Sequence, residues 1–303
     1  MLRKGLFILT FLVQLSGTNL NVTPDTAVLC YFGSGDGQVG IEIGNMQYGP
    51  FDFAIDEQKN VYISDYYNNR VIKFNTEGQA ERYYYPPEAR WIAVREGRIY
   101  IGDGSIWVYD TSGDFLKELK GAGYPRVDRY GNLYAYFSDG LIIFNEDFDT
   151  VAVAYRPFPS SSANPLWSGD KYIFLSSDKE LTIWRLDLSA KGKVLERIKS
   201  EIVIRCNPYS TGFSAGWIEG EDEEGNIYIQ GYEKNIDGGV VFIKLSPEGE
   251  FLGQLVVSYG DWEVWGDLGH AVRVSPRGDL YLANMDKEKY WIMRYPTEMF
   301  RKP

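Results

Sequence analysis

Histidine and cysteine are the scarcest chemistry-bearing residues of this 303-residue chain, with one histidine, His270, and two cysteines, Cys30 and Cys206. Multi-histidine zinc sites, cysteine-rich zinc clusters and a C-x-x-C redox pair all need residues that are not there. A Ser-His-Asp triad would depend on His270 alone, and no G-x-S-x-G elbow exists to place a serine. Positive charge is also short: 31 Lys and Arg stand against 42 Asp and Glu, a net charge of −11 with no basic cluster. Such a surface repels phosphate backbones and anionic lipid, so nucleic acid is not an expected partner. The one long apolar run is 6–15, and a helix of about ten residues rises only ~15 Å, half of a ~30 Å hydrocarbon core. No integral membrane span is therefore expected. Arg3 and Lys4 precede this run and Ser16 and Gly17 follow it, which reads as a signal peptide over 1–20 and predicts an exported protein, whether periplasmic, cell-surface or secreted. No cysteine follows the run directly, so lipid attachment at Cys30 is not expected. Asn21-Val22-Thr23 fits the N-glycosylation acceptor pattern.

Aromatic residues are abundant, with 23 Tyr, 16 Phe and 8 Trp, and 32 Gly and 13 Pro are spread evenly between short apolar stretches. That is the composition of many short strands and turns. The stretch 31–79 is the clearest unit. It opens on Gly33-Ser34-Gly35-Asp36-Gly37, continues through alternating segments at 51–56, 61–65 and 70–75, and turns at Thr76-Glu77-Gly78-Gln79 into a fourth at 80–85. Weaker copies follow to the C-terminus. A tyrosine in each second strand provides a ruler, Tyr62, Tyr100, Tyr134, Tyr172, Tyr228 and Tyr281, with steps of 38, 34, 38, 56 and 53 residues. The fourth copy is the least regular, with strands at 172–176 and 181–187 and a charged edge over 193–206.

The unit 31–79 resembles an NHL repeat, the blade-forming motif of one group of β-propellers. The resemblance implies an all-β fold, a six-bladed β-propeller of four-stranded blades over 27–300, acting as a monomer. The last unit offers three strands, at 271–275, 280–284 and 291–295, while the apolar segment 27–31 stands unassigned before the first. An N-terminal strand closing the last blade accounts for both. The same resemblance assigns Asp65, Asn69 and Arg70 to a structural turn that ties neighbouring segments together.

In this family the loops entering the innermost strands surround one mouth of a central channel. That geometry implies a ligand-binding group made of Asp52, Arg90, Trp91, Arg126, Trp167, Trp217 and His270. Aromatic platforms with two guanidinium donors suit a sugar, a peptide or a carboxylated ligand, so the expected partner is a small molecule, a glycan or a protein. The first reading is thus a binding module with no catalytic set and no cofactor. The alternative is a calcium-dependent hydrolase or lyase of the lactonase-like propeller type, with Asp52 as one ligand, although Arg90 and Arg126 at matching positions oppose a second cation. A third is a protein-interaction scaffold using Tyr83, Tyr84 and Tyr85 on an outer strand. The acidic run Glu219-Gly220-Glu221-Asp222-Glu223-Glu224 lacks calcium-loop spacing and reads as a solvated turn. Cys30 and Cys206 fall on the edges of different blades, farther apart than a disulfide spans.

Overall fold

The computed structural model describes residues 22–43, 47–128, 131–137, 140–155, 171–177, 180–186, 197–205, 213–233, 239–258 and 272–302. Strand β1 is Asp25–Tyr31, and β2 (Glu42–Ile43) and β3 (Gln47–Tyr48) form a small hairpin. The first blade is β4 (Asp52–Ile55), β5 (Val61–Asp65), β6 (Arg70–Phe74) and β7 (Ala80–Tyr84). The second is β8 (Trp91–Arg95), β9 (Arg98–Gly102), β10 (Ser105–Asp110) and β11 (Phe115–Lys120). The third is β12 (Tyr124–Val127), β13 (Leu133–Phe137), β14 (Gly140–Phe144) and β15 (Thr150–Tyr155). Next come β16 (Lys171–Ser177), β17 (Glu180–Leu186) and β18 (Arg197–Arg205), then a blade of β19 (Phe213–Glu221), β20 (Ile227–Glu233), β21 (Gly239–Leu245) and β22 (Phe251–Ser258). Last are β23 (Val272–Val274), β24 (Leu280–Met285) and β25 (Lys289–Tyr295).

Each blade is an antiparallel meander, and together they form a β-propeller. The expected six four-stranded blades are corrected: among the described residues there are five four-stranded blades, and the fourth unit is a three-stranded sheet in the order β16-β17-β18. Tyr172 lies on β16, the first described strand of that sheet. The segment that would precede it, with Trp167, lies outside the described residues.

The last blade has the order β1-β25-β24-β23, so the N-terminal strand is its outermost member. Leu29 lies opposite Trp291 and Cys30 opposite Tyr290, with one irregularity between Thr26 and Val28. Pairing the two ends of the chain removes the open seam that a ring of sheets would otherwise present. The C-terminal tail adds a second tie, because Arg301 exchanges backbone hydrogen bonds with Gln254 of β22 at 2.8 and 2.9 Å.

The hydrophobic core lies between blades rather than within one layer. Phe53, Ile55, Ile63 and Phe74 of the first blade pack with Tyr281, Ala283, Tyr290 and Ile292 of the closing blade. On the opposite face, Ala54, Tyr62, Val71 and Tyr84 meet Ile92, Val94, Ile99 and Ile101 of the second. Residues alternate between the two sides of a strand, so a strand covered on both sides must be apolar at nearly every position. That is the reason β5 reads Val-Tyr-Ile-Ser-Asp and is buried throughout. Each buried Ile, Val or Phe side chain contributes roughly 1.5–3 kcal/mol. Tyr84 belongs to this core, and of the three tyrosines expected on the outside only Tyr85 is exposed, with Tyr83 half-buried. Cys30 is a buried free thiol whose pKa burial pushes up to about 12. Cys206 lies outside the described residues.

The glycine-rich loop is fastened as a structural element. The Arg70 guanidinium donates to the carbonyls of Gly35 (3.0 Å) and Gln38 (2.8 Å), and its Nε pairs with Asp65 at 2.8 Å. Asp65 also accepts from the Gly40 N–H at 2.6 Å. A Cβ on Gly40 would sit 2.7 Å from Cβ of Tyr67, so only glycine allows this approach.

Candidate functional site

The strand that opens each four-stranded meander, β4, β8, β12, β19 or β23, is its innermost, and these strands stand side by side around the channel: β4 adjoins β8 and β23, β8 adjoins β12, and β19 adjoins β23. The cross-strand register sets what each contributes. The residue opposite the ruler tyrosine is Ala54 in the first blade, Ala93 in the second and Gly220 in the β19–β22 blade. At the same place the third and closing blades carry Arg126 and Arg273. Two guanidinium groups thus occupy positions where other blades have almost no side chain.

Asp52 is 1% exposed and ties three inner strands together. One carboxylate oxygen accepts from the Phe53 N–H at 2.8 Å and from the Arg273 guanidinium, and the other accepts from the Ile92 N–H at 3.1 Å. Arg273 is equally enclosed and also donates to the carbonyls of Phe53 (3.0 Å) and Val272 (2.7 Å). Burial pushes the Asp52 carboxyl above its ordinary range, while Arg273, Arg126 and the two N–H donors pull it back. This pair is fully engaged with the protein.

Arg126 is held differently. Its guanidinium lies 4.3 Å from the centre of the Tyr124 ring and donates to the Tyr124 hydroxyl, with a marginal contact to the Pro125 carbonyl at 3.5 Å. Among the described residues it has no carboxylate partner. It is half-buried, as are Tyr124 and Glu219 of β19. Burial raises the Glu219 carboxyl to about 7, opposed by the nearby Arg273 and Arg126 charges. Glu219 therefore changes charge near neutrality, unlike an ordinary surface glutamate. The acidic run does not form the expected solvated turn: Glu219 and Glu221 lie in β19, Glu221 and Asp222 are buried, and only Glu223 and Glu224 are exposed. Alternation along a bulged strand turns part of the run inward, a feature invisible in a count of charges.

An aromatic row leads from Tyr124 across the neighbouring blades. Trp91 packs edge-on at 4.5 Å from Tyr124, Phe51 at 4.6 Å from Trp91, and Tyr66 at 6.1 Å from Phe51. Arg90 lies over Phe51 at 4.4 Å and reaches Asp103 only at 3.9 Å. Of the residues expected at the mouth, Asp52, Arg90, Trp91 and Arg126 come together in this region. Trp217 sits in the middle of β19, four residues after the strand begins at Phe213, so it does not enter the strand as expected. Trp167 and His270 lie outside the described residues. Tyr124, Glu219, Arg273 and Phe51 were not in the expected set. The signal that could have found Arg273 is its place opposite the ruler tyrosine Tyr281, where alanine or glycine is the pattern. Among the described residues there is no group of three or more His, Cys, Asp or Glu arranged to hold a metal ion, and no helix long and apolar enough to cross a membrane.

No family model and no curated protein sequence matches the chain. Solved structures do resemble it. A chain of a mitotic checkpoint complex crystal structure is 12% identical, with 97% of this chain and 99% of that chain covered and a TM-score of 0.51. Virginiamycin B lyase from Staphylococcus aureus is 13% identical over 82% of this chain and 84% of its own, with a TM-score of 0.45. A luciferin-regenerating enzyme is 14% identical over 84% and 93%, with a TM-score of 0.46. At such identities the likeness reaches no further than the fold, and it is the sheet topology that makes this chain an all-β propeller.

Proposed function

We propose that this protein is an exported, NHL-like propeller that binds a ligand non-covalently at the channel face where Arg126, Tyr124, Trp91, Phe51 and Arg90 meet. The observation that carries the reading is Arg126. A buried or half-buried guanidinium is normally paired, and this one is oriented on an aromatic ring with no carboxylate supplied by the described residues. Next to it lies a continuous aromatic row, so the site offers an anion anchor and an apolar wall together. The tie between Arg70, Asp65 and the glycine loop supports the NHL-like part, and the apolar run 6–15 supports export. The calcium-dependent reading finds less support. It requires the Asp52 carboxylate, which is already taken by Arg273 and two backbone N–H groups.

A thermal-shift screen of small carboxylates, uronates and neutral sugars tests the proposal, with Arg90→Ala/Trp91→Ala/Arg126→Ala as the comparison. Carboxylate-bearing compounds are expected to stabilise the parent chain and to have no effect on a folded triple variant. Undiminished stabilisation in that variant would remove the channel face from consideration.

A further inference from the structure

We infer that the ligand of this face is a dianion, with an acid group at each end of a flat body, and that Arg90 is its second anchor. The inference rests on the binding role proposed for Arg126 and names the class of molecule that the same face takes. Arg90 and Arg126 stand at the two ends of one run of contacts. The Arg90 guanidinium lies 5.7 Å from the centre of the Trp91 ring, Trp91 lies 4.5 Å from Tyr124, and Tyr124 lies 4.3 Å from the Arg126 guanidinium. Trp91 is thus the floor between two cations. Arg90, Trp91, Tyr124 and Arg126 are all half-buried, neither sealed in the core nor fully solvated.

Neither cation is used up within the protein. Arg126 donates to the Tyr124 hydroxyl and marginally to the Pro125 carbonyl. Arg90 lies over Phe51 at 4.4 Å, its Nε is buried without a hydrogen-bond partner among the described residues, and its Nη1 stands 3.9 Å from Asp103, beyond hydrogen-bond length. An aromatic face attracts the charge of a guanidinium but leaves its N–H donors to be satisfied elsewhere. Acids are not scarce, since 42 Asp and Glu stand against 31 Lys and Arg, yet none of the described ones hydrogen-bonds either group. Arg90 is also held in advance. The Ser64 hydroxyl is shared between the carbonyls of Ala89 (2.7 Å) and Arg90 (2.9 Å), and Asn69 Nδ2 donates to those of Pro86 (3.3 Å) and Pro87 (3.0 Å). These contacts pin the segment entering β8 to the first blade, so Arg90 loses little freedom when it binds. Tyr124 and Arg126 are two residues apart on β12 and share one side of the strand. A monoacid engages one guanidinium, whereas a diacid of matching length engages both, its second contact being intramolecular once the first is made.

The test titrates the full chain calorimetrically at about pH 7, where carboxylic acids are ionised, with diacids and their monoacid counterparts. The aromatic arm pairs terephthalate with benzoate, naphthalene-2,6-dicarboxylate with 2-naphthoate, and biphenyl-4,4′-dicarboxylate with biphenyl-4-carboxylate. The sugar arm pairs digalacturonate with galacturonate. In at least one pair the diacid should bind about tenfold or more tighter than the monoacid, and the arm that shows this ratio identifies the body of the ligand. Arg90→Gln and Arg126→Gln should each bring that diacid down to the monoacid level. Monoacids that need Arg126 while no diacid binds tighter than its counterpart, or a diacid advantage that survives Arg90→Gln, would overturn the second anchor and leave the binding reading. Diacid and monoacid binding that both survive Arg126→Gln, or no binding of any probe by the parent chain, would overturn the site and the inference with it. The ratio of diacid to monoacid affinity is read on the parent chain and decides the matter even if a variant does not fold.

Discussion

Asp222 builds a turn and fixes a strand with one carboxylate. One oxygen accepts from the backbone N–H groups of Glu224 (3.1 Å) and Asn226 (2.9 Å), and the other from Asn226 Nδ2 and the Tyr228 hydroxyl, both at 2.9 Å. Asp128 repeats the arrangement with Asn132 and Tyr134, and Asp56 with Asn60 and Tyr62. The same D-x-x-x-N-x-Y spacing thus closes the turn between first and second strands in three blades. The carboxylate gives each buried tyrosine hydroxyl of these three blades the partner that a buried polar group calls for. The tyrosines stand out in the sequence as a ruler, whereas the Asp and Asn do not, because short polar residues are common at any turn. Tyr228→Phe should cost ~1 kcal/mol, the net worth of one hydrogen bond, while Asp222→Ala should cost ~3 kcal/mol by stripping Asn226 and Tyr228 of their acceptor at once. Urea denaturation of the two variants measures both, and equal losses would show that the carboxylate is not the organiser.

At the scale of elements, the ring is closed by ties that join the two ends of the chain and cross the seam between the first and closing blades. β1 completes the outer edge, Asp52 meets Arg273 at the channel, and Lys59 reaches Asp279 at 2.8 Å on the turns at the other end of these strands. The two side-chain contacts bridge segments 220 or more residues apart, so they close the longest loops of the chain and carry a correspondingly large loop entropy. Part of this was legible in the chain: a last unit one strand short and a spare apolar strand before the first unit are both visible in one dimension. The Asp52–Arg273 pair was not, since neither residue carries any mark of the other and only the register opposite Tyr281 makes Arg273 unusual. The three strands of the fourth unit were legible too, at 172–176, 181–187 and within 193–206, while the fourth strand that the repeat implies has no counterpart among the described residues. Removing one member of a buried pair strands the other, so Arg273→Met should cost roughly 3–5 kcal/mol. Asp52→Leu with Arg273→Met leaves no unpaired charge and should restore at least half of that loss. A double-mutant cycle by chemical denaturation reads the coupling, and additive losses would mean the pair does not act as a unit.

For the molecule as a whole, architecture was easier to read than chemistry because a repeat states the same physical requirement several times. An apolar strand covered on both sides and followed by a glycine turn recurs around the ring, whereas the channel group appears once and is assembled from four strands. Its members differ from their repeat equivalents, and one of them, Glu219, was hidden inside an acidic run. The consequence reaches global stability. Glu219 in the folded chain titrates at about 7 instead of the ordinary 4.5, so between those values the folded state holds a proton that the unfolded state has released. Stability from this group is complete below pH ~4.5 and is lost as pH rises through about 7, by up to ~3 kcal/mol at ~1.4 kcal/mol per pKa unit. The loss has the same sign as the self-repulsion of a chain with net charge −11, so the parent protein should grow steadily less stable from pH ~5 to ~8. Glu219→Gln removes only the local part. The variant should match the parent near pH 5 and exceed it by roughly 2–3 kcal/mol near pH 8, in denaturation curves taken at fixed ionic strength so that screening is held constant. A difference between the two proteins that stays constant with pH would show that Glu219 titrates in the folded chain as it does in the unfolded one, and the channel would then be an open, well-solvated site.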